Sequence, residues 1–190
     1  TWHVPPAAGP LLIRLQVYAR DTAVRGAWID RGFGFFDGAC LLPRVHGAER
    51  RDCVLHIDPP AEDWQLATSL VRLTGAELEF GAFRASGYLD LIDHPVLMGP
   101  LSVQRFDVQG VPHGIAVVGA PNADLAAVAE DLQPICAWQM SLFGGAAPVD
   151  RYWFLVRAAA SGYGGLEHRY SCALLCTRDD LRLAANADRV

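Results

Sequence analysis

The chain has 190 residues, 52% hydrophobic and 19% charged, which excludes a disordered polar segment because there is enough apolar material to offset the ordering entropy. That length fits one large or two small domains, burying about 70% of the surface exposed on unfolding. Arginine supplies all 16 basic residues against 21 acidic ones, a net charge of −5 with no basic block; without clustered positive charge, neither a nucleic acid nor a membrane is expected as partner.

Cys40, Cys53, Cys136, Cys172 and Cys176 are odd in number, irregularly spaced and lack a C-x-x-C pair. This argues against a disulfide framework and for a reducing, cytoplasmic compartment. Cys172 and Cys176 share a face if they lie on a strand, and read as buried thiols rather than a metal pair. No apolar run approaches the roughly 18 residues of a transmembrane helix. Thr1-Trp2-His3-Val4-Pro5-Pro6 has none of the parts of a signal peptide, and both ends of the chain read as cuts within a longer protein.

In chain order, 11–19 alternates from Ile13 on, with Ile13, Leu15, Val17 and Ala19 on one face, which predicts a half-buried strand. Val24 to Asp30 is a second strand. Phe35-Phe36 runs into Asp37-Gly38, a turn dipeptide, and Cys53 to Ile57 alternates again before Asp58-Pro59-Pro60. Short strands with Gly/Pro turns suggest an antiparallel sandwich over residues 1–81. Trp64 reads as a packing anchor. Tyr88 to Asp93 is a short helical turn stopped by His94-Pro95, and Asp90 and Asp93 are expected to make capping or turn hydrogen bonds. Residues 82–190 then give strands at Val103–Val108 and Gly114–Val118 and a helix capped by Asn122. Its core stripe runs from Leu125 through Leu132 and Ile135 to Phe143, with a kink or break at Pro134 and a stop at Gly144-Gly145. Strands at Arg151–Ala158 and His168–Cys176 follow, separated by a glycine-rich loop, so this part reads as α+β.

Motifs for metal hydrolysis, nucleophile elbows and phosphate loops are missing from the sequence. The six histidines are scattered, none spaced i,i+3 or i,i+4 from another, and His56 sits on the polar face of its strand. The unusual stretch is Ser161-Gly162-Tyr163-Gly164-Gly165-Leu166-Glu167-His168-Arg169. Glycine lets another backbone come close, a bare strand edge takes an extended peptide by adding a strand, and a carboxylate beside it can capture a terminal amine. A hairpin turn with a surface glutamate is the plainer alternative.

Tyr152-Trp153-Phe154-Leu155, Gly162-Tyr163-Gly164-Gly165-Leu166-Glu167-His168 and Arg178-Asp179-Asp180-Leu181 together resemble a block of the glycyl aminopeptidase family, zinc metallopeptidases that often carry a PDZ domain. Val17-Tyr18-Ala19-Arg20-Asp21, Val24-Arg25-Gly26-Ala27, Asp63-Trp64, Ile92-Asp93-His94-Pro95-Val96 and Leu142-Phe143-Gly144-Gly145 match in the same order, so the resemblance covers nearly the whole chain. It implies a β-rich, α+β fold: an antiparallel β-sandwich over 1–81, then over 82–190 the leading mixed sheet and helix of a thermolysin-like catalytic domain. The implied activity is release of small N-terminal residues, Gly or Ala, from peptides. Zinc is expected in the full-length protein, on an H-E-x-x-H helix beyond Val190, and none on this fragment, which would be inactive alone. By analogy with larger zinc aminopeptidases, Gly164 and Gly165 would offer backbone groups to the peptide substrate, with Tyr163 beside them, and Glu167 would bind its α-amine. His168 stands where those relatives have Asn, leaving a supporting contact or a substrate contact as its role. A dimer through surface exposed by truncation is a further expectation. The alternative function is a non-catalytic peptide- or protein-binding module, and a third is a relative whose zinc motif is lost.

Overall fold

The computed structural model describes residues 1–5, 8–120, 123–145 and 147–184. In chain order the elements are β1 (Ala27–Ile29), β2 (Gly34–Phe36), α1 (Gly38–Leu41), β3 (Cys53–Ile57), β4 (Gln65–Thr68), β5 (Val71–Arg72), β6 (Gly81–Ala85), α2 (Tyr88–Ile92) and β7 (Val96–Gly99). Then come β8 (Ser102–Val108), β9 (Val111–Val118), α3 (Leu125–Leu142), β10 (Tyr152–Ala159), β11 (Gly164–Glu167), β12 (Ser171–Thr177) and α4 (Arg178–Ala184). The fold is α+β and β-rich. No helix among the described residues is long and apolar enough to cross a membrane.

The strands form three sheets, ordered β1-β2-β7-β4, β3-β6-β5 and β11-β12-β10-β9-β8. The first two are antiparallel throughout, as the short alternating strands of the first half imply. They share a core in which Phe36, Leu66, Val96 and Met98 meet Phe83 and Ala85, with Trp64 buried among them as the expected anchor. Alternation along the same strands turns Phe35, Ala67 and Leu97 the other way, onto Ala116, Leu155 and Ala173 of the third sheet. The β1-β2-β7-β4 sheet is thus an inner layer covered on both faces, which is why β2 and β7 are buried at every position. Gly99 ends β7 at φ +144° beside Phe33, where a side chain would be both strained and crowded. β6 begins at Gly81 and pairs back to β3 and β5, and β7 pairs back to β2 and β4, so the chain up to Gly99 completes the first two sheets and the third begins at Ser102.

The third sheet is mixed. β8 and β9 form an antiparallel pair, α3 carries the chain over to β10 in parallel with β9, and β10 and β12 are parallel while β11 lies antiparallel outside β12. Its far face takes α3 through Ile115, Val117, Val156, Leu125 and Ala129. The cap of α3 is Asp124, whose side chain accepts from the Ala127 amide at 3.1 Å; Asn122, the cap expected from sequence, lies outside the described residues. α3 continues through Pro134 as one helix, where the sequence predicts a kink or a break. The predicted stripe is core only in its first half: Leu125 and Ala129 are buried, but Ile135 and Phe143 are exposed, Phe143 to 84%. Periodicity identifies the face of a helix that can be buried, while the extent of the sheet beneath decides how far it is.

Two further expectations are corrected. Residues 11–19 form no strand, although Arg20 makes an isolated bridge to Trp28, and Leu12, Ile13, Leu15 and Val17 are exposed. An alternating segment becomes a strand only when another edge pairs with it. Asp37-Gly38 is not a hairpin turn: Asp37 caps α1, accepting from the Ala39 amide at 3.2 Å.

Candidate functional site

The glycine-rich stretch is not a hairpin closing on β10. Gly164–Glu167 forms β11, registered Gly164↔Leu175, Gly165↔Leu174, Leu166↔Ala173 and Glu167↔Cys172. β11 is the last strand of its sheet, so its outer backbone edge carries no strand among the described residues. The predicted single strand His168–Cys176 is accordingly divided between the turn at 168–170 and β12, while β11 ends just before it. Tyr163, just before β11, is 94% exposed.

The two glycines of β11 are not there for packing. Neither has a positive φ, and a Cβ would meet nothing nearer than 3.7 Å at Gly164 or 3.5 Å at Gly165, ordinary van der Waals contact. Gly162 differs: at φ +115°, with Leu175 3.0 Å from where a Cβ would stand, it has to be glycine for the chain to turn into β11.

Leu166 packs toward the inner sheet, so the period-two alternation puts Gly165 and Glu167 on the opposite face. Glu167 is exposed there. Burial, with the Glu167 charge adding to it, pushes the Cys172 thiol up to about 12, and burial raises the Tyr152 phenol with a smaller contribution from Glu167. Both groups therefore stay neutral. Tyr152 also lines an open groove of about 250 Å³ with Phe154, His113, Met140 and Arg169.

His168 turns the other way. Its side chain is 7% exposed, and Nδ1 lies 3.3 Å from Asp93 Oδ1. The other Asp93 oxygen accepts from the Arg169 amide at 3.2 Å. The Nε2 atom is buried and unpartnered, a cost of about 1–3 kcal/mol in desolvation. The next turn residue, Tyr170, stacks on the His94 ring at 5.6 Å, and the His168 amide donates to the Ser171 carbonyl at 2.8 Å.

Behind this turn lies a buried polar chain that spacing does not disclose. Ser69 Oγ is 2.7 Å from His94 Nδ1 and 3.3 Å from Ser171 Oγ, and Arg151 donates to the Ser69 carbonyl from Nε at 3.1 Å and Nη2 at 2.6 Å. His94 Nε2 is 3.4 Å from Asp90 Oδ1, while Asp90 Oδ2 accepts from the Ser86 amide and hydroxyl. Serine, histidine and acid are thus in contact order, but Ser69 is completely buried, so no substrate carbonyl reaches its oxygen. The chain is a structural link between the inner sheet and the β11–β12 turn. Asp90 meets His94 and Ser86 locally, but Ser69 stands 25 residues from His94, 82 from Arg151 and 102 from Ser171, which is why no local motif announces the chain as a whole. His56, expected on a polar face, is exposed and bonded to Asp58 at 3.1 Å.

Among the described residues, no group of three or more His, Cys, Asp or Glu side chains is placed to hold a metal ion. The residues present do not fit a zinc centre, so no chemical step of this chain is routed through one.

The peptidase M61 N-terminal domain family matches residues 1–100. Among solved structures, an aminopeptidase N family protein from Idiomarina loihiensis is similar at 42% identity and a TM-score of 0.84, over 87% of this chain and 28% of its own. This chain therefore spans little more than a quarter of that relative's length. No curated protein matches. With half of its length matched by the domain and its fold shared with an aminopeptidase-family structure, the chain belongs to the peptidase M61 family.

Proposed function

We propose that this chain is the substrate-holding part of a zinc aminopeptidase of the glycyl aminopeptidase type, one that releases small N-terminal residues, Gly or Ala, from peptides. The division expected at Gly81 moves in this reading, because β6 and β7 pair with earlier strands: the chain up to Gly99 is the N-terminal β-sandwich, and the mixed sheet from Ser102 on is the leading part of a thermolysin-like catalytic domain. Zinc, and a PDZ domain where the polypeptide carries one, belong to the rest of the protein. In this reading, an extended peptide adds to the free edge of β11 through backbone hydrogen bonds. Gly164 and Gly165 leave that edge bare, Tyr163 flanks its start, and the Glu167 carboxylate binds the α-ammonium in a charge-assisted hydrogen bond. Fixing the ammonium a set distance along the edge limits cleavage to the N-terminus.

One observation carries the reading: an edge strand with two glycines that its own packing does not require, ending in an exposed carboxylate. The test uses the intact enzyme and compares a peptide bearing a free amine with its N-acetylated form. Glu167→Ala is expected to lower kcat/KM for the free amine by about 10- to 100-fold, the worth of a hydrogen bond to a charged group, and to leave zinc content unchanged. Unchanged kcat/KM rejects the assignment. Peptide binding without hydrolysis by the intact protein would instead favour a non-catalytic binding module using the same edge.

A further inference from the structure

We propose that Asp93 is a positioning residue for the β11 edge: by holding the His168 ring and the Arg169 amide together, it fixes the turn that follows Glu167 and so sets where the Glu167 carboxylate stands. The consequence for substrate rests on the amine-binding reading above. The geometry of the grip does not.

Glu167 itself is exposed and close to the free edge, where backbone pairing on one side only leaves a strand loosely held. The three residues of the turn beyond it, and Ser171 at the start of β12, are each gripped from the inner-sheet side. Asp93 meets His168 at 3.3 Å and Arg169 at 3.2 Å, His94 stacks on Tyr170, and Ser69 meets Ser171. Asp93 is suited to this as a fixed point. It is the C-cap of α2, its amide donates to the Asp90 carbonyl at 3.2 Å, and it precedes a buried His94-Pro95 pair. Among the described residues it is the one that holds both a side chain and a backbone group of the turn, 75 residues away from His168.

Asp93→Ala removes both contacts, while Asp93→Asn keeps an oxygen for the Arg169 amide and loses the charge facing His168. In the intact enzyme, Asp93→Ala is expected to raise KM for a free-amine peptide about tenfold with kcat within about twofold, and Asp93→Asn to raise it about threefold, a graded rescue that general loss of stability does not produce. Because the His168 amide donates to the Ser171 carbonyl, ladder alternation turns the Leu166 amide onto β12 as well. Amide hydrogen exchange at Leu166 and His168 should quicken about tenfold in Asp93→Ala, with β8 and β9 amides of the same sheet unchanged. A fall in kcat at constant KM, or unchanged exchange in β11, overturns the proposal. Should Asp93→Ala fail to fold, Asp93→Asn carries both readouts. Glu167→Ala, measured alongside, separates the two readings. If it leaves kcat/KM alone, amine binding falls and exchange alone judges the grip: faster exchange upholds it, unchanged exchange overturns it.

Discussion

β7 and β11 are each four residues long and differ in everything that surrounds them. β7, Val96-Leu97-Met98-Gly99, runs between β2 and β4 in a sheet covered on both faces, and all of it is buried. β11, Gly164-Gly165-Leu166-Glu167, has one neighbour and alternates between half-buried and exposed. In β7 each side chain answers to a packing partner, so its composition is explained by the fold. In β11 only Leu166 is explained that way. Glycines and a carboxylate on an unpaired edge leave backbone and charge available, which stability alone would not select.

Substitutions can break this contrast. The largest effect on stability is expected from Leu97→Ala, which empties a fully buried site between two sheets: about 2–5 kcal/mol lost, measured by urea unfolding. Leu166→Ala, half-buried at the edge, should cost about 1 kcal/mol; equal losses at the two sites would show β11 to be as much a part of the core as β7. Gly165→Ala should leave stability unchanged or raise it by up to about 1 kcal/mol, because the Cβ has room and the unfolded chain loses freedom. In the intact enzyme the same change should weaken peptide affinity about tenfold by crowding the edge. A destabilised but fully active Gly165→Ala would mean that glycine serves the fold after all.

The smallest effect sharpens the role of the polar chain behind the turn. Burial holds the His94 imidazole below its usual range, although Asp90 acts the other way. Asp90 is also held low: burial raises it, but hydrogen bonds from Ser86 and His94 more than offset that. The unfolded histidine takes up its proton near about 6.5 and the folded one resists, so the unfolded state binds more protons and stability falls as pH drops below that value. Unfolding measured from neutral to mildly acidic pH should therefore show a loss, at most about 1.4 kcal/mol per pH unit from this residue. His94→Gln should flatten it. An unaltered slope would place the acid sensitivity elsewhere.

Much of this was legible in the chain. Cys53–Ile57 is a strand as its alternation states, Tyr88–Ile92 is the helical turn that Pro95 limits, and Gly144-Gly145 follows the end of α3, with the Gly145 amide donating to the Met140 carbonyl at 3.0 Å. What failed depended on distant partners. The alternation of 11–19 is as regular as that of β3, yet only β3 has β6 beside it. Ile135 and Phe143 follow the same spacing as Leu125 and Ala129 but extend past the surface that would cover them. Glu167 and its two glycines stood out as an unusual composition; the link from Asp93 to the turn behind them did not.

The sequence by itself determined the local vocabulary: which segments alternate, where proline and glycine stop them, and that 163–168 combines bare backbone with an acid. Such features are set by interactions within a few residues, and the chain carries them wherever it goes. Only the tertiary structure decided that β11 is an outer strand, that Glu167 faces solvent while His168 faces inward, and that Asp93 holds the turn between β11 and β12. Those outcomes depend on which sheet edges find partners and which side chains meet across 75 or more residues, and no local pattern encodes a partner that far away.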